Sequence, residues 1–400
     1  MPYYIGDVIK DEKRMIARTP EQFAKTGIDV HLNTRVEFID GDKGGVRLAN
    51  NKTLPYDVLV LATGSEAFLP DIPGVDRDGV FKLKNLTDAT RIKSYLAAKR
   101  CTKAVVVGAG FIAMEMSEAL TQRGIKTQIV YRGERPVRNW SAEFSKMVLE
   151  ELNIHDVDFI THEKPIAVEH SSGSFPLRLI TDNLALDADI ILFALGVKPN
   201  TTLARDMGLA IGSSGAIQVN FSQQTSRKNV YAVGDCCEVF HRVGRSWVNI
   251  PLGDIANKQG RVAGAVIGGN AMSFPGIVGA QSFKIFELDV GITGLTEDEA
   301  MKYGFHPVSE TISGTPIARS LSAGEKLKIK LIADRYTGKL LGAQAAGNGG
   351  AVSRINILSA CLWNGMDIDE IGYMDLAYSP YYGGAWDPIQ IAAQALGRKL

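Results

Sequence analysis

The chain has 400 residues, 45% of them hydrophobic and 22% charged, with 44 basic residues set against 44 acidic ones. That length exceeds one core and predicts two or three lobes, at roughly 150 residues per lobe. The even charge balance removes any electrostatic reason to expect nucleic acid or an anionic membrane as a partner.

The opening residues, MPYYIGDVIKDEKR, carry no apolar core of leader length. The longest apolar stretches, such as 58–62 and 104–107, are strand-sized, and none has membrane-spanning length. A cytoplasmic address is the default expectation. Residues 56–63, YDVLVLAT, read as a buried strand ended by Gly64-Ser65, and LPDIPGVDRDG then reads as a connection between lobes. The clearest unit follows. Lys103–Val107 is a short β-branched strand, Gly108-Ala109-Gly110 a turn, and 111–123 a helix closed by Gly124, where a left-handed residue is wanted. Residues 127–131 supply the second strand of this βαβ unit. Residues 188–194 (ADIILFA), ending at Gly196, and 229–233 (NVYAV), ending at Gly234-Asp235, are further buried strands. Residues 251–267 read as a helix rich in small residues. Beyond about 280 the pattern changes. Residues 326–333 (KLKIKLIA) alternate as a half-buried strand does, and Tyr336-Thr337-Gly338 turns into a second, antiparallel strand. A helix over 351–364 stops at Gly365, and Asp387-Pro388 opens the final helix as N-cap and first-turn proline.

Gly108-x-Gly110-x-x-Ala113 lies directly between a strand and a helix, the setting a dinucleotide fingerprint needs. The first glycine makes the turn, the second lets the backbone approach a pyrophosphate, and Ala113 keeps helix and strand close. The helix N-terminus adds free amides and partial positive charge. A glycine-rich turn without a ligand is the bland alternative. At the end of the next strand, where a carboxylate would select NAD, stand Tyr131 and Arg132, with Arg135 and Arg138 close behind. Guanidinium groups suit a 2′-phosphate, which favours NADPH over NADH. Glu134 nearby keeps open the reading of a solvated basic loop. Gly234-Asp235 places another carboxylate just past a strand end, where it can accept hydrogen bonds from cofactor hydroxyls.

Cys101, Cys236, Cys237 and Cys361 form neither a disulfide framework nor a zinc pattern. The Cα atoms of the adjacent Cys236 and Cys237 are only about 3.8 Å apart, short of the usual disulfide span, so two free thiols are expected. Six scattered histidines show no ligand spacing, and no metal site is expected.

Taken together and in this order, these pieces resemble the flavoprotein pyridine nucleotide–disulfide oxidoreductases, and most closely their single-cysteine branch of CoA-disulfide reductases, NADH oxidases and peroxidases, and CoA-dependent persulfide reductases. The matching segments are RTPEQFAKTGIDVHLNTRV, YDVLVLATGSEAFLPDIPG, VVVGAGFIAMEM, ALGVKPNT, TSRKNVYAVGDCCE and DLAYSPYYGGAWDP. The resemblance implies an α/β fold of two Rossmann-like nucleotide-binding domains, the first incomplete, plus a C-terminal α+β dimerisation domain. The division expected is 1–98 for FAD, 99–218 for NAD(P)H, 219–279 for the second FAD segment and 280–400 for dimerisation.

The resemblance also implies FAD and NADPH (or NADH) as cofactors and a homodimer that acts on a small thiol disulfide or persulfide such as that of CoA. Gly108, Gly110 and Ala113 would hold the nicotinamide cofactor's pyrophosphate, with Glu115 near its nicotinamide end and Phe111 as an aromatic gate over the flavin. Gly196, in ALGVKPNT, joins the cofactor contacts. Ala62, Thr63 and Gly64 would pass close to the FAD phosphates, and Gly234 and Asp235 would hold the ribityl chain. The helix starting near Leu252 would point its N-terminus at the flavin. Tyr378, with Tyr381 or Tyr382, would reach the other subunit's reactive cysteine, although interface packing alone remains an equal alternative. The family opens with a glycine-rich βαβ unit, and its branch carries a Cys-Gly-x-Pro-Tyr-Tyr-Ile segment. Here Met1-Pro2-Tyr3-Tyr4-Ile5 falls on its second half. The nucleophile is therefore expected two residues ahead of Met1, with about 40 residues preceding the chain, since a βαβ unit needs about 30 or more. None of the four cysteines is assigned its role. As given, the 400-residue chain is expected to be flavin-poor and aggregation-prone. An oxidase or peroxidase on the same scaffold, and a non-catalytic nucleotide-binding remnant, are the rival expectations.

Overall fold

Valines 105, 106 and 107 are sealed from solvent, because the strand Lys103–Val107 has parallel neighbours along both edges. In this computed structural model, which describes residues 1–321, 324 and 326–400, the sheet has five parallel strands. Their order is Val80–Lys82, Ile190–Phe193, Lys103–Val107, Lys126–Val130 and Asp158–Ile160. Parallel strands need a crossover, and helix Phe111–Gln122 supplies one. Gly124, at φ 77°, ends it: its amide reaches Thr121 O and the Ile125 amide reaches Leu120 O, the two bonds of a Schellman stop.

The 188–194 run is not one strand. Ala185–Ala188 belongs to an antiparallel meander with Pro165–His170 and Leu177–Thr181, and Ile190–Phe193 enters the parallel sheet. Asp189 makes the break. Its carboxylate accepts from Thr102 N at 2.7 Å and Lys103 N at 3.0 Å, and its carbonyl accepts from the Tyr95 hydroxyl at 2.9 Å.

The C-terminal part is a five-stranded antiparallel sheet, ordered Gln281–Ile285, Leu288–Gly294, Leu340–Gly347, Leu327–Asp334 and Pro307–Gly314, with helix Ala351–Asn364 packed on it. Leu327–Asp334 was expected to be half-buried, yet its polar face is covered as well. Lys330 points under the starts of helices Ala142–Ile154 and Glu297–Lys302, where Glu297 lies at 2.7 Å and Glu143 at 3.4 Å. A lysine on the polar side of that alternation is therefore a buried, doubly paired cation.

These segments, Met1–Val8, Phe68–Gly196 and Val278–Leu400, make one compact unit; Ile9–Ala67 and Val197–Ile277 make another. In the second unit, strand Leu59–Leu61 pairs in parallel with Val230–Ala232. The 56–63 run is shorter than expected and not wholly buried, with Val58 39% and Val60 41% exposed. Its other face packs: Leu61 belongs to a buried cluster with Val230, Ala232, Ile39 and Ile217, and Leu59 lies against it. A three-stranded antiparallel sheet (Val36–Asp40, Gly45–Leu48, Thr53–Pro55) and helix Gly253–Ile267 complete this unit's main elements. Among the described residues, no helix is long and apolar enough to cross a membrane.

The last helix, Pro388–Gly397, opens with the expected Asp387 cap, and in return the Asp387 amide donates to Gln390 Oε1 at 2.9 Å. Asp387 also receives the buried Arg354 at 2.7 Å, and Arg354 donates further to Gly350 O and Pro316 O. Replacing Arg354 by alanine leaves the partly buried Asp387 carboxylate without its cation and Pro316 O without the guanidinium donor, while Gly350 O keeps Ser353 Oγ. A loss of about 3–5 kcal/mol is expected from urea unfolding monitored in this domain, and a loss below about 1 kcal/mol would contradict this role.

Candidate functional site

Gly108 holds φ at 125°, and a Cβ there would lie 2.3 Å from Ala194 O, so only glycine fits the turn. Gly110 is different. A Cβ on it would meet nothing within 4 Å, so the chain itself gives no reason for glycine. Gly110 is the N-cap of helix Phe111–Gln122, no side chain caps that end, and the first helical bond runs from Met114 N to Gly110 O. The amides of 111–113 consequently have no acceptor within the helix, and they face the open ground above Gly110 with the helix dipole behind them. An anionic pyrophosphate satisfies both features. Ala113 is fully buried against the strand, as the fingerprint requires.

Around this cradle, the half-buried Glu115 carboxyl is pushed above its ordinary range by burial, with Glu118 adding to the rise. Gly196, at φ 95°, follows the neighbouring strand end and accepts from Phe68 N. The basic loop divides into two kinds of arginine. Arg132 is exposed beside Tyr131, whose ring tilts against Phe159. Arg135, expected to share the phosphate-binding role, is engaged by the loop itself. It donates to Trp140 O, to Ser145 Oγ at 3.1 Å and to Arg138 O at 3.2 Å. Phe111 stacks on Phe283, a residue 172 positions away that sequence periodicity could not connect to it.

The second unit holds the other group of expected residues. Thr63 Oγ1 donates to Asn200 O at 2.7 Å, Asn200 Nδ2 returns a bond to Thr63 O at 2.9 Å, and Asn200 N reaches Gly64 O at 3.0 Å. This lock presents the Ala62-Thr63-Gly64 backbone, with Gly64 at φ 66° and open space where a Cβ would lie. Ser65 Oγ donates to Asp235 Oδ2 at 2.8 Å, which orients that carboxylate. Gly234 N donates to Gln259 Oε1 at 2.8 Å, and Gln259 Nε2 donates to Glu238 O at 3.0 Å, so one buried amide ties the Gly234-Asp235 turn to helix Gly253–Ile267. That helix begins after Leu252 without a side-chain cap. Positive-φ glycines, an oriented carboxylate and an uncapped helix start form a donor and acceptor set suited to a phosphate-bearing polyol. Asn200, Ser65 and Gln259 lie inside or beside the motif segments, but their side chains bond across long sequence separations, which a linear reading does not display.

None of the cysteines looks like a reactive thiolate. Burial, with Asp189 beside it, pushes the Cys101 thiol up to about 11. Burial also raises Cys237 and Cys361, and Cys236 is sealed from solvent. Cys236 and Cys237 are free thiols, as expected. Tyr378, Tyr381 and Tyr382 are 59%, 71% and 78% exposed, on a loop pinned where Ala318 N donates to Pro380 O.

A family model described as pyridine nucleotide-disulphide oxidoreductase matches residues 7–260, and one for the dimerisation domain of the same family matches 280–388. The chain is 36% identical over 401 residues to the CoA-dependent NAD(P)H sulfur oxidoreductase of Pyrococcus furiosus, across 99% of this chain and 89% of that one. It is 32% identical over 409 residues to an NADH oxidase of Methanocaldococcus jannaschii, across 100% and 90% respectively. The solved structure of an NAD-dependent persulfide reductase from A. fulgidus superposes with a TM-score of 0.94 at 31% identity, across 100% of this chain and 75% of that one.

Gly110 separates the cofactor reading from a merely structural turn. With free space around it, Gly110→Ala is expected to fold with an unchanged melting temperature while NAD(P)+ affinity, read by calorimetry, falls about tenfold or more as the methyl blocks the pyrophosphate. Unchanged affinity would contradict the cradle.

Proposed function

This chain belongs to the pyridine nucleotide–disulphide oxidoreductase family, and from that premise we propose that it reduces the disulfide or persulfide of a small thiol such as coenzyme A. The family's cofactors are FAD and NAD(P)H, and the chain is a flavin- and nicotinamide-dependent oxidoreductase. The observation that carries the reading is the open cradle at Gly108–Ala113, with three amides that nothing in the helix satisfies.

When bound, NAD(P)H supplies a hydride and FAD relays the electron pair to a sulfur–sulfur bond. One NAD(P)H and one proton thus convert a disulfide to two thiols, or a persulfide to a thiol and hydrogen sulfide. The chain's own residues bind and orient. Gly108, Gly110 and the amides of 111–113 hold the nicotinamide cofactor's pyrophosphate, Glu115 and Phe111 lie toward its nicotinamide end, Gly196 borders it, and Arg132 beside Tyr131 receives a 2′-phosphate. Ala62, Thr63 and Gly64, locked by Asn200, approach the FAD phosphates. Asp235, steadied by Ser65 and next to Gly234, accepts from ribityl hydroxyls. The helix start at Leu252 favours negative charge near it.

The chain acts as a homodimer in this reading, and Tyr378, with Tyr381 or Tyr382, orients or protonates the departing sulfur in the other subunit. Their exposure supports a role completed by a second copy. The reacting sulfur is assigned to a thiol other than the four cysteines, because a nucleophilic thiol needs access and a lowered pKa, whereas Cys101, Cys237 and Cys361 are shifted upward and Cys236 is sealed.

NAD(P)H consumption by the flavin-loaded dimer is expected to run about tenfold or more faster with CoA disulfide or CoA persulfide than with oxygen alone, if sulfur is the designed acceptor. Equal rates with oxygen alone would replace this reading with an oxidase. Arg132→Ala is expected to raise the KM for NADPH by about tenfold and leave that for NADH nearly unchanged. An equal effect on both would remove the 2′-phosphate role.

A further inference from the structure

The ring of Phe111 projects from the first residue of the helix that opens the cradle, and it does not stand alone. It stacks on Phe283 with centroids 5.1 Å apart and planes at 25°, and meets Trp140 edge-on at 6.2 Å. Trp140 and Phe283 are themselves edge-to-face at 5.8 Å. Trp140 is 3% and Phe283 5% exposed, whereas Phe111 is half-buried.

Two of the three rings are fixed by their surroundings. The Trp140 amide donates to Val137 O, its carbonyl accepts from Arg135, and the following Ser141 amide donates to the buried Gln344 Oε1 at 2.9 Å. Phe283 lies in a strand that ends in a strained turn, where Phe286 is held at φ 46°. The turn is held from three sides. Glu118 accepts from Phe286 N at 3.0 Å, Glu151 accepts from Glu287 N at 2.7 Å, and His155 stacks on the Phe286 ring at 3.8 Å. Of the trio, Phe111 alone is half-buried, while Trp140 and Phe283 are closed in on all sides.

Resting on the nucleotide reading above, we propose that Phe283 and Trp140 are positioning residues for the cofactor: they form the seat of the Phe111 ring and set how readily it gives way to the nicotinamide half. A ligand that binds only the released arrangement loses apparent affinity in proportion to the fraction released. An aromatic contact shifts such an equilibrium by about two- to tenfold. On this proposal the ring bears on the nicotinamide half alone, and the adenosine half, beyond the pyrophosphate, is the internal control.

Calorimetric titration of Phe283→Leu with NADP+ (or NAD+) and with the matching ADP-ribose fragment tests this. The dinucleotide is expected to bind about two- to tenfold more tightly than to the unaltered protein, and the fragment equally well within about twofold. Unchanged or weakened dinucleotide binding would overturn the proposal, as would an equal gain for the fragment. Phe111→Leu, at a half-buried position that tolerates the change more easily, is expected to show the same gain, and adding Phe283→Leu to it should bring no more; additive gains would overturn the seat. If the fragment fails to bind even the unaltered protein, the nucleotide reading falls and this inference falls with it.

Discussion

A helix begins with amides that its own backbone cannot satisfy, and in helix Phe111–Gln122 no side chain satisfies them either. Much of the surrounding architecture serves to leave that end open and correctly aimed. Val107 and its neighbours are buried between parallel strands, so the turn leaves the sheet at a fixed place. Gly108 passes under Ala194 O, where no side chain could go, and Ala113 lets the helix lie close to the strand. The open space at Gly110 has no packing explanation within the chain, which is why it points to a ligand.

The second unit reaches a comparable result by another route. Its parallel strands are short, and side chains rather than long ladders hold its loops. Asn200 closes on Thr63 and Gly64, Ser65 steadies Asp235, and Gln259 ties Gly234 to the helix behind it. Each of these residues bonds a backbone or carboxylate atom of a motif residue, so a substitution at any of them would act on cofactor geometry without touching the cofactor.

Much of this was legible in the linear sequence where local chemistry decides the outcome. The Gly108–Ala113 turn, the Gly124 stop and the Asp387 cap depend on residues a few positions apart, and all three form as expected. Reading failed where distant residues decide. Lys330 alternates like a surface lysine, yet Glu143 and Glu297 bury it. Asp189 sits at the head of the apolar run 190–195, and its bonds to Thr102, Lys103 and Tyr95 show that it divides two sheets. Arg135 resembles Arg132 in the sequence, but Trp140 O, Ser145 and Arg138 O occupy it. The Phe111–Phe283–Trp140 cluster joins three separated elements and leaves no periodic trace.

Hydrogen–deuterium exchange over residues 108–114, with and without NADP+ or NAD+, probes the unsatisfied helix start directly. Amides 111–113 lack intrahelical acceptors, so rapid exchange in the free protein and marked slowing on addition of the dinucleotide are expected. Exchange at these amides that is indifferent to either dinucleotide, at concentrations saturating for the family's cofactors, would contradict the account.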